Sequence, residues 1–109
     1  MSWLEGVAYV FGGMFLANAL PHLVAALMGR PFQTPFARPP GQGLSSSLVN
    51  GLWGFANLVI AWLLLCRVGD FDLGAPEEAA AFGAGFLLIV VFLSRRFGRF
   101  NGGNTPEGE

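Results

Sequence analysis

From Gly6 to Gly29, and again from Leu44 to Cys66, the chain carries no charged residue. A third such run spans Ala79 to Leu93. No feature constrains the fold more. A soluble domain of this size has a large surface relative to its volume and needs charge to cover it. Here charged residues make up only 12% of the 109 residues, about half of the usual ~25%. A bilayer core of ~30 Å is crossed by ~20 helical residues. The first two runs reach that length. The third reaches it once Pro76, Glu77 and Glu78 are taken as its first turn, with proline at N1 and carboxylates facing the positive helix end.

The expected fold is therefore all-α: an integral membrane protein whose three transmembrane helices form a small bundle. The helices are expected over about 3–28, 44–67 and 76–97, in one transmembrane domain covering 1–100. Residues 101–109 are polar, which predicts a disordered tail. Ala17-Asn18-Ala19 has the form of a leader-cleavage site, but the stretch before it holds Glu5 and no Lys or Arg. The first run is therefore read as a retained helix.

All six cations are arginines. With three spans, Arg30, Arg38, Arg95, Arg96 and Arg99 share one side, and Arg67 lies alone on the other. The richer side is placed in the cytoplasm, which predicts an N-out, C-in protein of a bacterial inner membrane. A formal net charge of −1 gives no basic face for nucleic acid. One cysteine, Cys66, allows neither an internal disulfide nor a Cys-rich metal site.

The first connection, residues 29–43, reads GRPFQTPFARPPGQG. Its four prolines bar helix and predict an extended, PPII-like strap on the cytoplasmic surface. Phe32 and Phe36 are expected to dip toward the headgroups, with Arg30 and Arg38 at the phosphates. Polar residues within the spans need partners or a purpose. On the first helix Asn18 and His22 are spaced i, i+4 and share a face. On the second, Asn50 and Asn57 are seven apart with Trp53 on the same stripe. At ~1.5 Å rise per residue, His22 and Asn50 both lie about 10 Å below the strap, and Asn18 and Asn57 about 16–20 Å. Two polar rungs across one hairpin are predicted. Pro21 would also free the carbonyl of Ala17.

These rungs admit two roles. As interhelical glue each bond contributes only ~0.6–2 kcal/mol but sets register. Alternatively Asn18, His22, Asn50, Trp53 and Asn57 form a small polar site lidded by the strap. One histidine and no CxxC supply too few ligands for metal or haem, so no metal and no cofactor is expected. No phosphate loop, nucleophile elbow or paired carboxylates are present. The leading expectation is a non-enzymatic accessory or structural subunit that self-associates or joins a larger membrane assembly. Its small-residue faces at Gly12-Gly13, Gly51/Gly54 and Gly83/Gly85 exceed what one bundle would use. The alternative is a minimal oligomeric channel or transporter using the polar stripe around His22. A membrane-embedded enzyme or cofactor binder comes third. The lipid bilayer is the one partner common to all three readings.

Overall fold

The computed structural model describes residues 1–107. It is mostly helical: α1 (Trp3–Leu27), a two-residue ladder of β1 (Phe32–Gln33) and β2 (Leu44–Ser45), α2 (Ser47–Leu63) and α3 (Pro76–Asn101). One π-helical turn, Leu64–Val68, extends α2. Three helices, of 25, 22 and 26 residues with that turn included, are long and apolar enough to cross a membrane. The burial pattern agrees with that setting. Leu87, Leu88, Val91 and Phe92 face outward, whereas the largest fully buried side chains are Tyr9, Asn50, Asn57 and Thr34. Apolar groups outside and polar groups inside is the reverse of a water-soluble domain. The chain has the makeup of a multi-pass membrane protein.

Local sequence explains the helix ends. Ser2 Oγ accepts from Glu5 N, and Glu5 Oε1 accepts from Ser2 N, forming a capping box at the start of α1. α1 continues through Pro21. It stops where Gly29 takes φ +68, with Arg30 N donating to Ala25 O and Gly29 N to Ala26 O in a Schellman-type ending. α2 begins at Ser47, three residues after the apolar run begins, because Leu44 and Ser45 pair with Gln33 and Phe32. Ser46 caps it through a bond from Val49 N. α3 starts on Pro76 with Glu77 and Glu78 in its first turn. It runs past Phe97 to Asn101, closing on left-handed Gly102. The 101–109 tail therefore begins inside a helix, and Gly108 and Glu109 lie outside the described residues.

α1 packs extensively on both other helices, which have little contact with each other. The helices form a row with α1 in the middle, rather than a closed three-helix bundle. Small residues make this possible, because Ala8, Gly12, Gly13, Ala17, Ala19 and Ala25 are the buried positions of α1 apart from Tyr9 and His22. A side chain at Gly85 would strike the Val10 backbone, and one at Gly13 would strike the Phe82 backbone. The excess of small-residue faces anticipated from sequence is largely absent. Gly12 packs on Leu65, Gly54 on Leu23 and Gly51 on Ala26, and of these six helix glycines only Gly83 meets open space. A middle helix has two packed sides and so consumes twice the small residues.

Candidate functional site

The strap is a folded loop, organised by Thr34 rather than by extended PPII structure. Thr34 O accepts from Ala37 N and Gly41 N, and Thr34 Oγ1 bonds the Ser45 hydroxyl and accepts from Phe36 N. Closing the ladder Phe32–Gln33 against Leu44–Ser45 satisfies backbone groups that a PPII segment would leave to water. Gln33 and Thr34 are 4% and 1% exposed. Arg30 and Arg38 are exposed on the surface of the loop.

Phe32 turns inward instead of toward lipid. Its ring meets Phe97 at 4.7 Å and His22 at 5.6 Å, both edge-on. Phe36 does remain outward, 63% exposed, standing perpendicular on Trp53 at 5.0 Å. The inward position of Phe32 follows from its place opposite Ser45 in the ladder, which aims it at α3.

Both polar pairs suggested by depth meet. Asn18 Nδ2 donates to Asn57 Oδ1 at 2.9 Å, and His22 Nδ1 lies 2.7 Å from Asn50 Oδ1. Asn57 Nδ2 donates back to Trp53 O at 2.8 Å. Asn50 Nδ2 reaches three carbonyls, those of Phe32, Ser45 and Ser46, at 3.0–3.2 Å. Those carbonyls can only accept, so they fix the orientation of the Asn50 amide. Its Oδ1 is then an acceptor, and His22 Nδ1 must carry the proton. In a neutral ring the lone pair lies on Nε2. Asn50 thus ties α1, α2 and both strands of the strap together, and in doing so sets the tautomer of the chain's single histidine.

His22 is 2% exposed, yet it lines a cavity of about 320 Å³. Asn18 adds to that wall from α1 and Trp53 from α2. α3 contributes Phe92, Leu93, Arg96 and Phe97. Gln33, Pro35, Pro40 and Gly41 of the strap roof it. Nδ1 is spent on Asn50, which leaves Nε2 as the imidazole's free polar atom. Among the described residues Trp53 Nε1 is buried and unpartnered.

Three contributors escaped the sequence reading. Gln33 accepts from Asn101 Nδ2 through its Oε1, tying the strap to the end of α3. Arg96, which the sequence places only among the cytoplasmic-side cations, turns back to the strap and reaches Gly41 O at 3.4 Å. Phe97 closes the wall beside His22, their ring centroids 6.2 Å apart. The tripeptide Arg95-Arg96-Phe97 signals a membrane interface. Nothing in it says that two of its members face inward.

Among the described residues no three His, Cys, Asp or Glu side chains come together as metal ligands would. Past Asn57, the α1–α2 seam closes with Ala61, which is 2% exposed, and with Leu65 against Gly12. The polar stripe therefore ends within the helix row. The site is a polar pocket among the apolar helices of a multi-pass helical protein. No known protein family matches the chain, and neither a curated protein nor a solved structure is similar to it.

Proposed function

We propose that this chain is a small, non-enzymatic accessory protein of a bacterial inner membrane, N-out and C-in, that holds a small ligand in the pocket beneath its cytoplasmic strap. The five-to-one arginine asymmetry between the two sides supports the orientation. One observation carries the ligand reading. His22 is buried, oriented by Asn50 through Nδ1 and part of the wall of a cavity of about 320 Å³, and among the described residues its second nitrogen has no hydrogen-bond partner. Trp53, on the wall of the same cavity, holds a buried Nε1 without a hydrogen-bond partner, and an unmet buried polar atom costs about 1–3 kcal/mol. A ligand that meets it removes that cost. The channel reading loses ground because the stripe ends at Ala61 and Leu65 within one chain.

The test is purification from the native membrane in mild detergent, followed by mass spectrometry of small molecules released on denaturation. The wild-type protein should carry one compound in near-stoichiometric amount, and His22→Phe should lose it. A wild-type preparation that is folded and bare overturns the proposal. Membership in a larger assembly is a second reading, favoured by Gly83, whose Cα faces open space on the outer side of α3. Crosslinking in native membranes checks it, and Gly83→Leu should abolish any partner adduct.

A further inference from the structure

The pocket does not stand alone on its face of α1. Phe11, Phe15, Asn18 and His22 are spaced four, three and four residues apart, and so form one stripe along the helix. α2 and α3 pack on α1 with little backbone contact between them, and at its strap end the stripe is the floor of a cleft with Trp53 of α2 on one wall and Phe92 and Phe97 of α3 on the other. Its strap end is the roofed pocket. Further along, a groove of about 190 Å³ is lined by Phe11, Met14, Phe15, Asn18 and Ile89, and it shares Asn18 with the pocket. Floor and walls of this second stretch are apolar apart from Asn18. Phe11 is 46% exposed, so the groove opens sideways, toward lipid.

The polar end has a defined chemistry. Nε2 of His22 is an acceptor in the neutral ring and needs an O–H or N–H from the ligand. Arg96 brings a permanent cation to the wall, held by one long hydrogen bond to Gly41 O and a position 5.5 Å over the Phe100 ring, with no carboxylate partner among the described residues. No Asp or Glu occurs between Gly6 and Gly69 or between Ala79 and Pro106, so no carboxylate from those stretches competes for the guanidinium. A cationic head would meet repulsion there, and a plain alcohol would leave Arg96 unused. An oxyacid satisfies both groups. It donates its O–H to Nε2 while another oxygen accepts from Arg96. If the proton passes from that oxygen to Nε2, imidazolium and guanidinium face an oxyanion, and the charge-assisted bonds strengthen.

We infer that the cleft binds a single-tailed amphiphile with an oxyacid head, the head lying under the strap between His22 and Arg96 and the tail along Phe11, Phe15 and Ile89. This rests on the reading of the pocket as a ligand site and adds the class of ligand. A fatty acid and a single-chain phosphate lipid share the required chemistry. A two-tailed lipid does not, because a groove of about 190 Å³ leaves no room for a second chain.

His22 is the sole histidine, so ring-15N labelling gives one reporter at the head site. The protein is placed in nanodiscs of zwitterionic lipid and titrated with dodecanoic acid, dodecyl phosphate, dodecanol, dodecyltrimethylammonium and acetate. The two acids should move the Nε2 signal saturably, at concentrations about tenfold or more below dodecanol, the equivalent of one charge-assisted hydrogen bond. The tighter of the two identifies the natural source. Acetate should be far weaker, for want of a tail. Arg96→Gln should erase the preference for acid over alcohol while leaving the unfolding midpoint unchanged, which separates recognition from folding. Equal binding of dodecanol, or tighter binding of the ammonium probe, overturns the oxyacid head but leaves the ligand site standing. Equal binding of acetate overturns the tail groove. If no probe moves the signal, the inference fails. The ligand reading fails with it only if the native protein also carries no compound.

Discussion

At the strap end of the helix row, side chains hold the helices together and keep them apart. At the far end, backbone lies almost on backbone. Asn18–Asn57 and His22–Asn50 bridge α1 and α2 near the strap, and Phe32, Phe97 and Trp53 surround the imidazole. The result is a cavity. At the other end Gly13 and Gly85 bring α1 against α3 with no room for a Cβ. There Tyr9, 1% exposed, leans on Phe71 with the rings tilted 59° and accepts from Asp70 N. The π turn delivers Gly69 onto the Tyr9 ring. One end is tightly closed and the other is propped open by polar groups that satisfy one another. In a bilayer there is no hydrophobic force between helices, so close packing and hydrogen bonds are what remain to associate them. This chain uses one at each end. Tight packing suits an end with no task, whereas hydrogen-bonded rungs can leave space beside them.

If that division is real, substitutions at the two ends should fail differently. Gly85→Leu should have the largest effect, about 3 kcal/mol or more, because the clash is with the Val10 backbone, which cannot move aside. Reversible unfolding in mixed micelles measures it, and a cost near zero would show that α3 does not lie where described. Asn50→Leu should come next, at about 2–3 kcal/mol, since it strands three carbonyls and His22 Nδ1 together. Unlike the glycine change, it should also raise protease cleavage within residues 29–43 while α3 stays docked. Tyr9→Phe should cost about 1 kcal/mol, one hydrogen bond. It should leave the His22 ring signals where they were, and a shift in them would mean the two ends are coupled. Val91→Ala, on the 52% exposed outer face of α3, should change stability by less than about 0.5 kcal/mol. A larger loss would reveal a partner on that face.

Much of this was legible beforehand. The charge-free runs foretold three long apolar helices, and Pro76-Glu77-Glu78 foretold where the third begins. Residue counting along an antiparallel hairpin foretold which polar side chains could meet, because rise per residue is nearly constant and both helices are measured from one turn. What escaped was everything set by side-to-side packing. The row arrangement, the inward turn of Phe32 and the return of Arg96 to the strap depend on how far apart two helices settle. That distance is decided by which glycines face which neighbour. A one-dimensional count locates a residue along a helix and says little about the helix beside it.

The sequence by itself determined that this chain has three long apolar helices, that its cations crowd to one side, and that His22 and Asn50 share one depth while Asn18 and Asn57 share another. Only the tertiary structure decided that α1 lies in the middle, that Asn50 sets the histidine's tautomer, and that the strap folds into a roof over a cavity. The physical reason is the same for all three. Hydropathy and helical rise act along the chain and need no partner. Close approach, amide orientation and enclosed volume exist only between elements, and appear once those elements are brought together.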